Sequence, residues 1–211
     1  MSSPHLLKLR QPGNVAKEDL AIRFVNTAAW RLRQAAEERL PTPAALLDWL
    51  DENGVRISND PAELTPGRGG HLQRAQAVYG SAIALRETIY ELLVAQIRKI
   101  PPADDHVQAF NRFLQHRPAA LLEWQGGKFG WNASEPGVFI FCTPIAVSAA
   151  ELMTGPQAGR VKQCQDDRGC GWLFVDGSRA QNRRWCSMGD CGNRAKASRH
   201  YARVRGTRDG R

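Results

Sequence analysis

Apolar residues recur at three- and four-residue steps through Leu72, Ala75, Val78, Ala82, Leu85, Ile89, Leu92, Leu93 and Ile97. That spacing puts them on one face of a helix from about Leu72 to Ile100, the longest in the chain. Pro101-Pro102 ends it. A second helix over Asp104 to His116 buries Val107, Phe110, Phe113 and Leu114. Upstream, Lys17 to Arg39 lacks Gly and Pro and carries Leu20, Ile22, Phe24, Val25, Trp30 and Leu32, which predicts a helix interrupted weakly at Asn26-Thr27. Thr42 caps a short helix over Ala44 to Asn53, with Leu46, Leu47, Trp49 and Leu50 as its core face and Gly54 as its stop. Ser58 to Gly70, rich in Pro, Gly and Asp, reads as a loop.

Two short runs around Gly126-Gly127, Leu121 to Trp124 and Lys128 to Trp131, suit a β-hairpin. Val138 to Met153 reads as a buried helix despite Pro144. Gly155-Pro156 then divides a helical domain, residues 1–155, from a small C-terminal module, residues 156–211. The expected class is mainly α: a helical domain with one β-hairpin, followed by a small module of short strands and a basic helix.

That second module changes the picture. Its cysteines follow the spacing Cys164-x5-Cys170-x15-Cys186-x4-Cys191. Two close pairs separated by a loop are how a chain delivers four thiolates to one tetrahedral zinc. Gly169, Gly171, Gly189 and Gly192 stand close to the cysteines, and Gly171 to Val175 reads as a strand between the pairs. Two disulfides conflict with a chain that shows no signal peptide and is therefore expected in the cytoplasm. A redox centre is the weaker alternative, because neither pair is C-x-x-C. A reactive thiol would need a histidine base, and the nearest is His200. Structural zinc is therefore the expected cofactor. A closed four-thiolate site leaves no position for substrate, which argues against catalysis by the metal. Cys142, in an apolar run, reads as a buried structural thiol.

Charge follows the cysteines. The net charge is +8, and residues 160–211 hold thirteen Lys/Arg against five acids, so the rest of the chain is neutral. Such asymmetry points to a polyanionic partner, most simply DNA. Asn193 to Arg205 has no Gly or Pro and reads as a basic helix. Lys196, Arg199 and Arg203 form one stripe for phosphates, with Arg183 adding to the surface, while Tyr201 and Val204 near Ala197 face the module. Arg184 and Arg194 read instead as braces of the knuckle.

The run from Cys170 to Arg205 closely resembles the CGNR zinc-finger family, named for Cys191-Gly192-Asn193-Arg194. Phe24-Val25-Asn26-Thr27, Leu46 to Leu50 and Ala84 to Tyr90 resemble motifs of the ABATE domain that precedes the finger in that family. The resemblance covers about residues 16 to 205. It implies stress-induced transcription regulators in which a helical domain senses a ligand and a zinc module binds DNA. Where relatives carry an acid two residues before the valine, this chain has Arg23.

Asn26, Thr27, Arg86 and Asn111 are polar residues in apolar stretches. They are the candidate ligand-binding set, with an internal polar network as the competing reading. Trp30, Trp49, Trp124 and Trp131 read as core or pocket wall. No metalloprotease motif, nucleophile elbow or phosphate-binding glycine loop is present, so no enzyme is expected. The uncharged stretch Gly137 to Ala150, interrupted by Pro144, is too short to span a bilayer, which needs about 20 residues. Nothing in the sequence excludes a homo-oligomer. The alternative function is an RNA- or protein-interaction module beside a structural N-terminal domain.

Overall fold

The computed structural model describes residues 19–55, 71–115, 120–125, 128–133 and 142–208, with side chains for 19–55, 75–115 and 142–201. The Pro- and Gly-rich loop, the Gly126-Gly127 turn and the side chains of Trp124 and Trp131 lie outside the described residues. In chain order the elements are α1 (Leu20–Val25), β1 (Ala28–Ala29), β2 (Glu37–Glu38), α2 (Pro43–Glu52), α3 (His71–Arg98), α4 (Asp104–Gln115), β3 (Ala120–Gln125), β4 (Lys128–Ala133), α5 (Cys142–Thr154), β5 (Val161–Gln163), β6 (Leu173–Val175) and α6 (Asn193–Arg208). The strands form three antiparallel pairs, β1–β2, β3–β4 and β5–β6. The β3–β4 hairpin runs in register from Ala120↔Ala133 to Gln125↔Lys128.

α3 is the spine. Val78, Ala82, Leu85, Ile89, Leu92 and Leu93 are buried along it and meet α1, α2, α4 and α5. It ends in a left-handed cap. Lys99 takes φ +56°, and the N–H groups of Lys99 and Ile100 donate to Gln96 and Ala95 oxygens, closing the last turn before Pro101. α2 is capped as its sequence predicts, with Thr42 Oγ1 accepting from Ala45 N–H. In α4, Phe110 and Phe113 are buried, but Val107 is exposed. Pro144 sits in the first turn of α5, where an N–H has no intrahelical partner to lose.

The expected helix over Lys17 to Arg39 is not formed as one element. α1 stops at Val25 after six residues, and β1 and β2 follow. Thr27 Oγ1 donates to the Phe24 carbonyl, and Asn26 pairs with a distant strand, so both side chains divert the backbone from helix. Trp30, at φ +54°, completes the turn away.

The hydrophobic core does not respect the Gly155-Pro156 boundary. Val161 and Leu173 of the C-terminal module belong to the same buried cluster as Phe24, Leu85, Ile89 and Ile145. A second, smaller cluster surrounds the sulfurs: Cys164, Cys170, Phe174 and Cys191, with Trp30, Trp172, Trp185 and Cys186 packed on it. Trp30 comes from the helical domain. Among the described residues, no helix is long and apolar enough to cross a membrane.

Candidate metal centre and the helix it carries

The four cysteine sulfurs lie within 4.8 Å of one another. Cys186 Sγ is 3.7 Å from Cys170 Sγ and 3.6 Å from Cys191 Sγ. A zinc with Zn–S bonds of about 2.3 Å needs tetrahedral edges of about 3.8 Å, so these spacings fit it. They do not fit disulfides, whose bonds are about 2.05 Å, and all five cysteines are free. The four sulfurs form a structural zinc site. Without a cation, four crowded thiols cannot all ionise. Hydrogen bonds from Cys170 and Cys186 favour the thiolate at Cys164. Contact with that thiolate pushes Cys170 and Cys186 up, and burial pushes Cys191 up. A divalent cation removes that conflict. Cys142 lies apart, buried, with its thiol held up by desolvation.

The first knuckle is built on the helical domain. Arg31 and Leu32 N–H groups donate to the carbonyls of Cys170 and Gly169, each at 3.1 Å. Arg33 Nε donates to the Arg168 carbonyl at 2.9 Å, and the Tyr90 hydroxyl to that of Gly171 at 3.2 Å. Asn26 acts as a two-way clamp: Nδ2 donates to the Leu173 carbonyl at 2.8 Å, and Oδ1 accepts from Leu173 N–H at 3.0 Å. Gly169 and Gly171 sit at φ +87° and +66°, and a Cβ on Gly171 would fall 2.8 Å from Leu32 Cγ. Both the turn and the close approach therefore require glycine there.

The second knuckle is tied to the first by charge. The buried Asp166 carboxylate accepts from Arg194 Nη2 at 2.7 Å and Nε at 3.0 Å, and Arg194 Nη2 lies 2.8 Å from Cys191 Sγ. Burial raises the Asp166 pKa, but Arg194 and the Arg168 N–H outweigh it and hold it below the usual range. Asp176, fully buried, accepts from Lys162 Nζ, from the Ser178 hydroxyl and N–H, and from Arg183 N–H. With Lys162 foremost, these donors hold Asp176 well below the usual carboxylate range.

The predicted surface residues separate into two groups. Arg183 is committed to the knuckle, donating to the Trp185 and Cys186 carbonyls with its guanidinium 4.6 Å over the Phe174 ring. Arg184 donates to Gln165 and lies over Trp185. Lys196 and Arg199 are exposed on α6, and Arg203 lies on the same helix with its side chain outside the described residues. α6 springs from a π-helical turn, Met188–Gly192, and packs mainly on it. The expected packing of Tyr201 near Ala197 does not occur. Residues 196–201 are all exposed, Tyr201 by 67%.

The candidate ligand set does not converge on one cavity. Arg86, buried, forms a bidentate pair with Glu38 at 2.5 and 2.7 Å, bonds Glu87 at 2.8 Å and reaches Thr27 Oγ1 at 3.1 Å. Arg31 completes this network at Glu87 Oε2, 2.6 Å. Asn111 is exposed on α4. Arg23, the departure from the family pattern, donates to Asn53 at the end of α2. Sequence reasoning missed Trp30, Arg31, Arg33 and Tyr90 as parts of the metal centre. Their one local signal was the pair of glycines flanking Cys170, which marks a close approach without naming the partner.

Residues 18–156 match the model of the ABATE family, described as "putative stress-induced transcription regulator", and residues 160–204 match that of the CGNR zinc finger. A search of curated proteins gives no significant match.

Proposed function

The chain belongs to the ABATE family and carries a CGNR zinc finger, and on that premise we infer that it is a transcription regulator, not an enzyme, whose zinc module binds duplex DNA. The observation that carries this reading is α6. It bears six Lys/Arg and no acid between Asn193 and Arg208, and its described side chains beyond Ala195 are exposed. An exposed, all-basic helix aimed by a metal knuckle matches the polyanionic grooves of DNA in shape and sign. Lys196, Arg199 and Arg203 are the phosphate contacts. Salt-dependent binding of the full chain to duplex DNA tests this. Lys196→Ala/Arg199→Ala/Arg203→Ala lowers the slope of log K against log salt by about 3 if each residue neutralises one phosphate. A zinc-loaded chain with no DNA affinity at low salt would refute the reading.

The helical domain in this reading senses a small ligand or partner in the region of Asn26 and Arg86. The alternative, an RNA- or protein-interaction module beside a structural N-terminal domain, draws on a specific observation: Asn26, Thr27 and Arg86 already have internal partners. Competition of duplex DNA against single-stranded RNA of equal length, at fixed salt, separates the two.

A further inference from the structure

A cleft of about 270 Å³ opens between the two modules and ends on sulfur. Trp30 and Arg39 of the helical domain form one wall, and Trp172 and Arg194 of the zinc module another. Cys170, Cys186 and Cys191 line it, while Cys164 does not. The indoles are already engaged. Arg33 lies 3.5 Å over Trp30, and Arg39 lies 4.9 Å over Trp172. Beside the cysteines the cleft presents the Arg39 guanidinium, that of Arg194, which is already paired with Asp166, and the polar groups of Ser187 and Asp190.

The four cysteines are not equally buried. Cys164, Cys170 and Cys191 are 2%, 6% and 2% exposed, whereas Cys186 is half-buried. Cys191 accepts a charged hydrogen bond from Arg194, which draws electron density from it. Cys186 also stands between two cleft-lining sulfurs, at 3.7 and 3.6 Å. A partner for disulfide formation is thus in reach with little backbone movement.

We propose that Cys186 is a hydroperoxide-reactive site, reached through this cleft, whose oxidation dismantles the zinc centre. The Cys186 thiolate attacks one peroxide oxygen; an S–O bond forms, the O–O bond breaks and hydroxide departs. Arg39 and Arg194 on the walls stabilise the negative charge that builds on the departing oxygen. The thiolate of Cys170 or Cys191 then attacks the sulfenic sulfur; an S–S bond forms and a second hydroxide departs. The two sulfurs lose two electrons, and the peroxide is reduced to two hydroxides. With two of its four donors consumed, the site no longer holds the metal. Because α6 springs from the turn containing Cys191, its base is released at the same step. Only that last consequence, loss of DNA affinity, rests on the reading of α6 given above.

The zinc-loaded full chain, treated with hydrogen peroxide, is followed by zinc release to a chromogenic chelator and by differential alkylation with mass spectrometry. The expected result is one zinc released per disulfide joining Cys186 to Cys170 or Cys191, with Cys142 reduced, all reversed by thiol and zinc. If the four sulfurs stay reduced and zinc-bound at exposures that oxidise the unfolded, zinc-free chain, the proposal fails. A first disulfide that omits Cys186 overturns it equally. Arg39→Glu, compared at full zinc loading, slows release by about threefold to tenfold; an unchanged rate rules out the cleft route. DNA affinity of the reduced chain is measured in parallel. Release of zinc from a chain that never bound DNA sinks the functional reading and leaves the peroxide site standing. Reduced protein that binds DNA but resists peroxide does the reverse.

Discussion

The two ends of the zinc module are opposites. From Arg168 to Leu173, every carbonyl except that of Trp172 accepts a hydrogen bond from the helical domain. Even the Trp172 carbonyl is taken, by Cys164 N–H. From Lys196 to Tyr201, every described side chain faces solvent. One end has its polar groups used up inside the molecule, and the other turns Lys196 and Arg199 to solvent. The first knuckle is an interior part of the protein, and α6 is the part left for a partner. The change from interior to free surface falls inside the zinc module, between Cys191 and Lys196.

The largest test of that contrast is metal removal. Structural zinc contributes about 10–16 kcal/mol in small finger peptides. If the first knuckle is interior, chelation unfolds module and helical domain in one transition, with a melting temperature lower by at least about 10 °C. Calorimetry showing an unchanged helical-domain transition would make them separate bodies after all.

Next in size is Asn26→Ala. It strands the N–H and carbonyl of Leu173 at a buried strand and is expected to cost about 2–4 kcal/mol in urea unfolding. A loss under 0.5 kcal/mol would mean that the clamp is dispensable.

The Arg86 network supplies a smaller, pH-dependent effect. Burial raises the Glu38 pKa, but Arg86 and the Leu40 N–H overcome this and hold it below 4.5. Its folded pKa is lowered, so its stabilisation is complete above the unfolded value and is lost as pH falls through the folded one. Glu38→Gln is therefore expected to cost about 1–2 kcal/mol at pH 7. The gap to the parent chain should shrink below pH 4.5. Subtracting the two curves removes the acid sensitivity of the thiolates, which both chains share. A gap independent of pH would show that the pair contributes by packing alone.

Smallest of all, for stability, is the α6 triple Lys196→Ala/Arg199→Ala/Arg203→Ala. Substitutions at surface helix positions change unfolding free energy by no more than about 0.5 kcal/mol. A large loss would show α6 to be part of the fold.

What the sequence showed and what it hid divide along the same line. The cysteine spacing, α2 with its Thr42 cap, α3 and the β3–β4 hairpin are local patterns, each written within a few residues. The segment after Val25 failed because its conformation is decided from far away. Asn26 reads as a weak helix residue until Leu173 is beside it, and Arg31 and Leu32 read as helix until Gly169 and Cys170 take their N–H groups. The same distance hid the metal centre's support. Arg86 was legible as a buried polar residue, but Glu38, its main partner, sat in a stretch expected to be helix. Tyr201 failed for the opposite reason. An apolar ring on a helix suggests packing, and no described element of the fold reaches it.

The Asn26 clamp also sets a schedule. Its two partner atoms lie 147 residues further along the chain. At about 5–20 residues per second, a ribosome delivers them roughly 7–30 s after Asn26 itself. Until then α1 and the turn behind it lack their far support, so the nascent helical domain cannot complete its packing before the knuckle has been made.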